Sequence, residues 1–334
     1  MYLHNNTDIF KKIIIHIASK KNIDPNFIEK DYYITIILKC LKSKCSNIIF
    51  KGGTSLSKCF GIINRFSEDI DISFEEHIGE SKRSRLKNTV VKSISNELNL
   101  PIINWDVLHS NSNVNKYIFS YKSVLESVVD TNQNINLEIS LVLPSYPFIK
   151  KSLSNYIYNY IDSENSDIIS NYNLTPFYIN CQTIERTFVD KLFAICDYYL
   201  LDKATRLSRH LYDLHKLAPY VNIKKVVQLI PEIQQLRSKI DLCPSAKSDV
   251  NIKNILSNII NSNYYKSDYR NVTSLLIYDK SFVTTAGGAT FTVPETSASH
   301  NPYIKFLLSH SNCMPVSHRL SSTRPLSTVY LSSP

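Results

Sequence analysis

The segment FKGGTSLSKCFGIINRFSEDIDISF, residues 50–74, holds two adjacent glycines, a Thr-Ser pair and carboxylates at Glu68, Asp69 and Asp71. The chain has six glycines in 334 residues, so a Gly-Gly pair is not background. The apolar run before it, residues 47–50, reads as a short buried strand. Gly52-Gly53 reads as a turn, and Thr54–Phe60 as the start of a helix. Residues 69–74 alternate as a strand edged by carboxylates would. A glycine pair lets backbone N–H groups approach a phosphate with no Cβ in the way. The helix start at Thr54 and Ser55 adds unpaired donors, a positive dipole end and two hydroxyls. Residues two apart on a strand share a face, so Asp69 and Asp71 aim at one point. Two hard oxygen ligands beside phosphates suit Mg²⁺. Glu68 is expected to point away from the pair, into solvent. A lone Gly-Gly is usually a turn and a lone Asp-x-Asp usually a strand end. Their joint occurrence in this order favours a phosphate cradle facing a metal dyad, which nucleotidyl transfer from a nucleoside triphosphate (NTP) needs.

Two further stretches carry candidates. NINLEISLVL, residues 134–143, places Glu138 among apolar neighbours, as a third carboxylate from an adjacent strand would be. The alternative is a solvent-facing Glu on an edge strand. TIERTFVDKLFAICDYYL (183–200) and RLSRHLYDLHKL (206–217) read as two helices. On the first, Glu185, Arg186, Asp190 and Lys191 are polar. On the second, Arg206, Arg209, His210 and Asp213 fall at three- and four-residue spacing and line one side. Lys191 could neutralise triphosphate charge, Arg209 and His210 could bind phosphate or base, and Asp213 could orient the lysine or the nucleophile. The alternative is a helix–helix salt-bridge network.

The element pattern predicts an α+β protein. Its N-terminal core is a mixed sheet flanked by helices, and a helical part follows. Helices are expected over 9–19, with Thr7 or Asp8 as cap, over 25–41 with Asp24 as cap and Pro25 at the first position, and over 81–98. Strands are expected at NWDVLH (104–109), KYIFSYKSV (116–124) and NINLEISLVL. Four helices should cover roughly 184–200, 205–220, 223–240 and 250–264. The expected parts are 1–165, 166–286 and a Ser/Thr/Pro-rich tail, 287–334, with no acidic residue after Glu295.

A hydrophobic content of 43% with 20% charged residues excludes a disordered chain. The net charge of +9 suits a polyanionic partner, RNA first, with Lys82, Arg83, Arg85, Lys87 and Lys92 on one helix and Lys203, Arg206 and Arg209 on another as candidate guides. The bland reading is that lysine is simply common in this composition. Seven scattered cysteines without a Cys-x-x-Cys pair argue for a reduced, cytoplasmic setting and against a zinc site. MYLHNNTDIF has no apolar signal core, and no apolar run approaches the ~18–20 residues of a membrane span.

Four blocks carry a family resemblance: IEKDYYITIILK (28–39), KGGTSLSK with RFSEDIDI (51–72), ERTFVDKL (185–192) and SRHLYDLHKL (208–217). In order and spacing they resemble the AbiEii/AbiGii nucleotidyltransferase toxins, over roughly residues 10–285. The resemblance implies a polymerase-beta-like core with a helical domain closing the cleft, and Mg²⁺ (or Mn²⁺) on Asp69 and Asp71. It implies an NTP held by the Gly52-Gly53 turn, with Lys51, Thr54 and Ser55 around it, and by Ser67. Lys191 and Asp213 match the family's downstream catalytic positions, Arg209 and His210 its Arg-His pair, and Glu138 the expected third carboxylate. Members are toxins paired with antitoxins, and some add nucleotides to the 3′ end of tRNA. The chain departs from the pattern at Val189-Asp190, where an aromatic residue followed by Glu is commoner, and in its tail. Two rival readings are a catalytically silent NTP-binding protein that engages an antitoxin, and an enzyme that nucleotidylates a protein.

Overall fold

A computed structural model of the chain describes residues 1–65, 67–109, 113–125, 133–161 and 166–277. The expected tail, 287–334, lies outside the described residues. Helix α1 (Thr7–Lys21) is capped by Asn6, whose side chain accepts from the Ile9 N–H, rather than by Thr7 or Asp8. Helix α2 (Pro25–Lys44) starts as its sequence dictates, with Asp24 capping and Pro25 at the first position. Strand β1 (Ile48–Lys51) runs directly into α3 (Gly52–Lys58), and β2 (Ile70–Phe74) returns antiparallel to β1. The basic stretch is helical throughout, as α4 (Glu80–Arg85), a π-helical turn over Leu86–Val91 and α5 (Lys92–Leu98).

Strands β3 (Val114–Tyr121), β4 (Gln133–Ser140), β5 (Phe148–Leu153) and β6 (Phe177–Gln182) complete a six-stranded mixed sheet of order β3-β4-β2-β1-β6-β5. Short helices α6 (Tyr156–Tyr160) and α7 (Asp167–Asn171) lie between β5 and β6. Helices α8 (Ile184–Leu200), α9 (Arg209–Leu217), α10 (Ile223–Arg237) and α11 (Ile252–Ser262) follow. The sheet thus takes β6 from residues after 165, in the part expected to be helical.

Residues 104–109 were expected to form a strand but make a 3₁₀ turn, Trp105–Val107. There the Asn104 side chain replaces a ladder: its amide donates to Lys116 O at 2.7 Å and its oxygen accepts from Ile118 N at 3.0 Å. β5 escapes a period-two reading because it is an edge strand with Lys150-Lys151 at its centre, a common way of blunting an edge.

The sheet has two unlike faces. Phe50, Ile70, Ile72, Leu137 and Ile139 pack with Phe10, Ile14, Ile28, Tyr32 and Ile36 from α1 and α2 in one buried core. A second core lies among α8–α11, and Leu56 of α3 and Ile63 join it. Residues 50–74 therefore contribute to both cores. Among the described residues no helix is long and apolar enough to cross a membrane.

Helix α2 also fixes three neighbours with successive charged residues. Buried Glu29 accepts from Ser123 Oγ at 2.6 Å and Val124 N at 2.8 Å. Lys30 pairs with Glu68, so Glu68 is ion-paired rather than simply solvated. Asp31 pairs with Lys58 at the end of α3 and accepts from the Tyr156 N–H at 2.8 Å. Asp31→Ala removes the counter-ion of the buried Lys58 ammonium and the acceptor of the Tyr156 N–H. It should lower the unfolding free energy by about 3 kcal/mol, measured by denaturant titration.

Candidate active site

On the polar face of the sheet, register lines up Lys116 of β3, Glu138 of β4, Asp71 of β2 and Lys51 of β1 side by side. Glu138 thus lies on an interior strand, not an edge. It pairs with Lys116 at 3.0 Å, and both side chains remain about a third or more exposed (34% and 45%). Asp71 is half-buried. Burial pushes its carboxyl up to about 6, with Glu138 and Asp69 adding to the rise and Lys51 and Lys191 opposing it. Burial pushes the Lys51 ammonium down, against the pull of Asp190 and Asp71. The Lys51 side chain makes no hydrogen bond or ion pair among the described residues.

Gly52 and Gly53, expected to precede the helix, are the first residues of α3, so the glycine turn is the corner where β1 enters that helix, shaped by what it must admit. Gly52 has φ +78°, and a Cβ there would lie 1.9 Å from Asp71 Oδ2, so the carboxylate sits against a bare Cα. A Cβ on Gly53 would lie 2.7 Å from both Arg65 Nη2 and Ser67 Oγ. The hydroxyls of Thr54 and Ser55, expected to face a ligand, turn inward instead. Thr54 Oγ1 donates to Asp69 O at 2.5 Å and sits 3.0 Å from Ser67 Oγ, while Ser55 Oγ donates to Gly52 O at 2.9 Å. They brace the turn against the start of β2. Asp69 accepts from Asn136 Nδ2 at 2.9 Å through Oδ1. Asp69 and Asp71 are two hard oxygen donors side by side. Among the described residues no group of three or more His, Cys, Asp or Glu is arranged to hold a metal ion.

Opposite lies a buried cationic cluster. Thr183 caps α8, and Lys191 lies two turns in. Asp213 of α9 is fully buried and accepts from Arg65 Nε and Nη2 at 2.7 Å each and from Lys191 Nζ at 2.6 Å. Burial opposes the charge of Asp213, but Lys191 and Arg65 win and hold its carboxyl well below the usual carboxylate range. Burial, then the charge of Lys191, keeps His210 neutral, with Arg209 and Arg65 adding and Asp213 opposing. The His210 ring stacks on Tyr198 at 5.9 Å and 18°, and its buried Nδ1 has no hydrogen-bond partner among the described residues. Arg209 is half-buried and has no ion-pair partner among the described residues.

One expectation on these helices is corrected. Arg206 does not line α9: it precedes the helix, exposed, with φ +64°. Asp190, next to Lys191 in the sequence, accepts from Arg186 Nε at 3.2 Å and from Gln182 Nε2 at 3.0 Å, tying α8 to β6. Arg65, Lys116 and Asn136 were missed. Arg65 lies inside the opening segment, but its partner, Asp213, is 148 residues away. Lys116 and Asn136 reach the site through strand pairing.

Gly52→Ala places a methyl in the space Asp71 uses and strains a left-handed backbone. Nucleotide transfer should fall by at least about 10²-fold, as for an active-site displacement of about 1 Å, while circular dichroism stays native.

No curated protein matches the chain. A model of the nucleotidyl transferase AbiEii toxin of type IV toxin–antitoxin systems matches residues 36–280, which contain the dyad, the glycine turn and the cationic cluster. The chain therefore belongs to the AbiEii nucleotidyl transferase toxin family and is a nucleotidyltransferase.

Proposed function

We propose that the protein transfers a nucleoside monophosphate from an NTP to an RNA acceptor, the tRNA 3′ end, and so blocks translation in the cytoplasm under control of an antitoxin. The observation that carries this reading is the pairing of an anionic patch with a cationic cluster across the glycine turn. Asp69, Asp71 and Glu138 lie on one side, with Lys51 beside Asp71 in the same row, and Lys191, Arg65 and Arg209 lie on the other. A triphosphate with a divalent cation complements both.

The donor set fits Mg²⁺ or Mn²⁺. Asp69 adds to the cost of ionising Asp71, and two such carboxylate ligands with substrate phosphates suffice for Mg²⁺. Bound there, such an ion would neutralise triphosphate charge and promote ionisation of the attacking hydroxyl. The turn backbone at Gly53 and Thr54, with Lys51, holds the phosphates. Arg209 and neutral His210 hold the nucleotide from α9. The acceptor 3′-oxygen bonds to the α-phosphorus, the bond to the β-phosphate oxygen breaks, and pyrophosphate leaves toward Lys191. Glu138 takes the hydroxyl proton, and Lys116 beside it steadies its carboxylate. Asp213 keeps Lys191 and Arg65 in place. The basic face of α4–α5 contributes less than its composition suggests. Arg83 donates to Ile78 O, and Lys87 and Lys92 lie over the Trp105 ring.

Asp69→Asn and Asp71→Asn should each abolish labelling of total tRNA by labelled NTPs with Mg²⁺, with the fold preserved. Label appearing on protein instead would replace the RNA acceptor with a protein one, and no label on either would reject transfer by the purified chain.

Half-buried Asp71 and fully buried Asp213 should change stability in opposite senses along the pH scale when divalent ions are removed. The Asp71 pKa is raised, so its contribution to stability is full below the unfolded value of about 3.9 and lost as pH rises through about 6. The Asp213 pKa is depressed, so its contribution is full above about 3.9 and lost only as pH falls below that. Thermal melts should therefore show Asp71→Asn gaining on the wild type between pH 4 and 6. Asp213→Asn should lose most at neutral pH and least in acid.

A further inference from the structure

Helix α9 begins without a side-chain cap of its own. The residue before it, Ser208, is fully buried, and its hydroxyl pairs with Thr273 Oγ1 at 2.7 Å rather than with the helix N–H groups. Two residues earlier, Arg206 holds the left-handed φ of +64°, a conformation uncommon for residues other than glycine. One side chain from far along the chain answers both features. Asp268 is buried, and its Oδ1 accepts from Arg206 N at 2.6 Å while its Oδ2 accepts from Ser208 N at 2.9 Å. Both carboxylate oxygens thus hold the backbone that enters α9, and the negative charge sits at the positive end of that helix. The next two residues are Arg209 and His210.

The same C-terminal stretch reaches the other side of the cluster. Ile277 bridges the backbone at Arg65, and Tyr265 OH donates to Ile195 O of α8 at 2.8 Å. Residues 265–277 therefore touch α8, the start of α9 and the Arg65 loop.

We propose that Asp268 is a positioning residue of the nucleotide site: it caps α9 from outside, fixes where that helix starts, and so aims Arg209 and His210 at the bound nucleotide. The proposal rests on the reading of Arg209 and His210 as nucleotide-binding. Among the described residues both hydrogen bonds of the Asp268 carboxylate go to backbone N–H groups of the loop, so its loss should act first on the aim of the following two side chains.

The test uses the full chain, with binding of ATP, GTP, CTP and UTP measured singly with Mg²⁺, alongside steady-state transfer and amide hydrogen exchange. Asp268→Ala should weaken binding of the preferred NTP by about 10-fold, the scale of a lost helix cap, while kcat at saturation changes by less than about 3-fold. Amides of residues 206–211 should exchange faster while those of α8 do not. Asp268→Asn keeps one acceptor and should fall between. In an Arg209→Ala background, Asp268→Ala should add less than about 2-fold, because both changes remove the same contact. Native NTP binding with only a lowered melting temperature would overturn the proposal, as would a full further loss in the Arg209→Ala background. If the wild type binds no NTP, the nucleotide reading of α9 fails and the proposal fails with it. Faster exchange at 206–211 in Asp268→Ala would then mark a purely structural cap.

Discussion

The carboxylate of Asp213 is the joint on which the rest of the site hangs. A fully buried charge is costly unless its lone pairs are filled and an opposite charge is held close. Here two guanidinium N–H groups and one ammonium do both, at 2.6–2.7 Å. The three residues come from three places: the loop after α3, α8 and α9. One ion cluster thus fixes the sheet-side segment against two helices of the second core, and the Asn64 N–H to Tyr212 OH bond at 3.1 Å reinforces it. Two cations against one carboxylate leave the cluster net positive, which adds to the burial that keeps His210 neutral and suits an anionic ligand.

The sheet shows the opposite imbalance. Asp71 lies between Glu138 and Lys51 in one cross-strand row, with Asp69 close by. Lys116 answers Glu138 at the outer end, but the pair is too exposed to neutralise the row firmly. A protein selected for stability alone would pair these charges across the gap. The glycine turn lies between them, and its two missing side chains leave room for Asp71, Arg65 and Ser67. Space, negative charge and positive charge therefore meet at one point. That juxtaposition, more than any single residue, is what a metal–triphosphate complex would recognise.

Much of this was legible in the order of residues, and most of the exceptions share a cause. Period-two spacing placed Asp69 and Asp71 together, glycine scarcity marked the turn, and cap chemistry started α2 correctly. What failed depended on distance along the chain. Arg65 finds Asp213 148 residues away, and Asp268 finds the start of α9 some sixty residues before it. Thr54 and Ser55 misled because a hydroxyl at a helix start has two uses, toward a ligand or into its own turn, and local sequence does not choose between them. β6 was missed because its burial comes from an interior position between β1 and β5, which only the assembled sheet reveals.

The block at residues 28–31 shows how a segment without catalytic groups can still belong to the site. Glu29, Lys30 and Asp31 lie just before the stretch matched by the family model, yet each bonds to something inside it. Lys30 holds Glu68, one residue before the dyad, and Asp31 holds Lys58 at the far end of the helix that carries the glycine turn. Consecutive residues on a helix point about 100° apart, so three in a row can reach three different neighbours only where α2 is packed on several sides. Its burial, from Ile28 through Leu41, meets that condition. The position of the dyad relative to the turn is thus set from both directions: by α2 beneath the sheet, and by Asp213 above it.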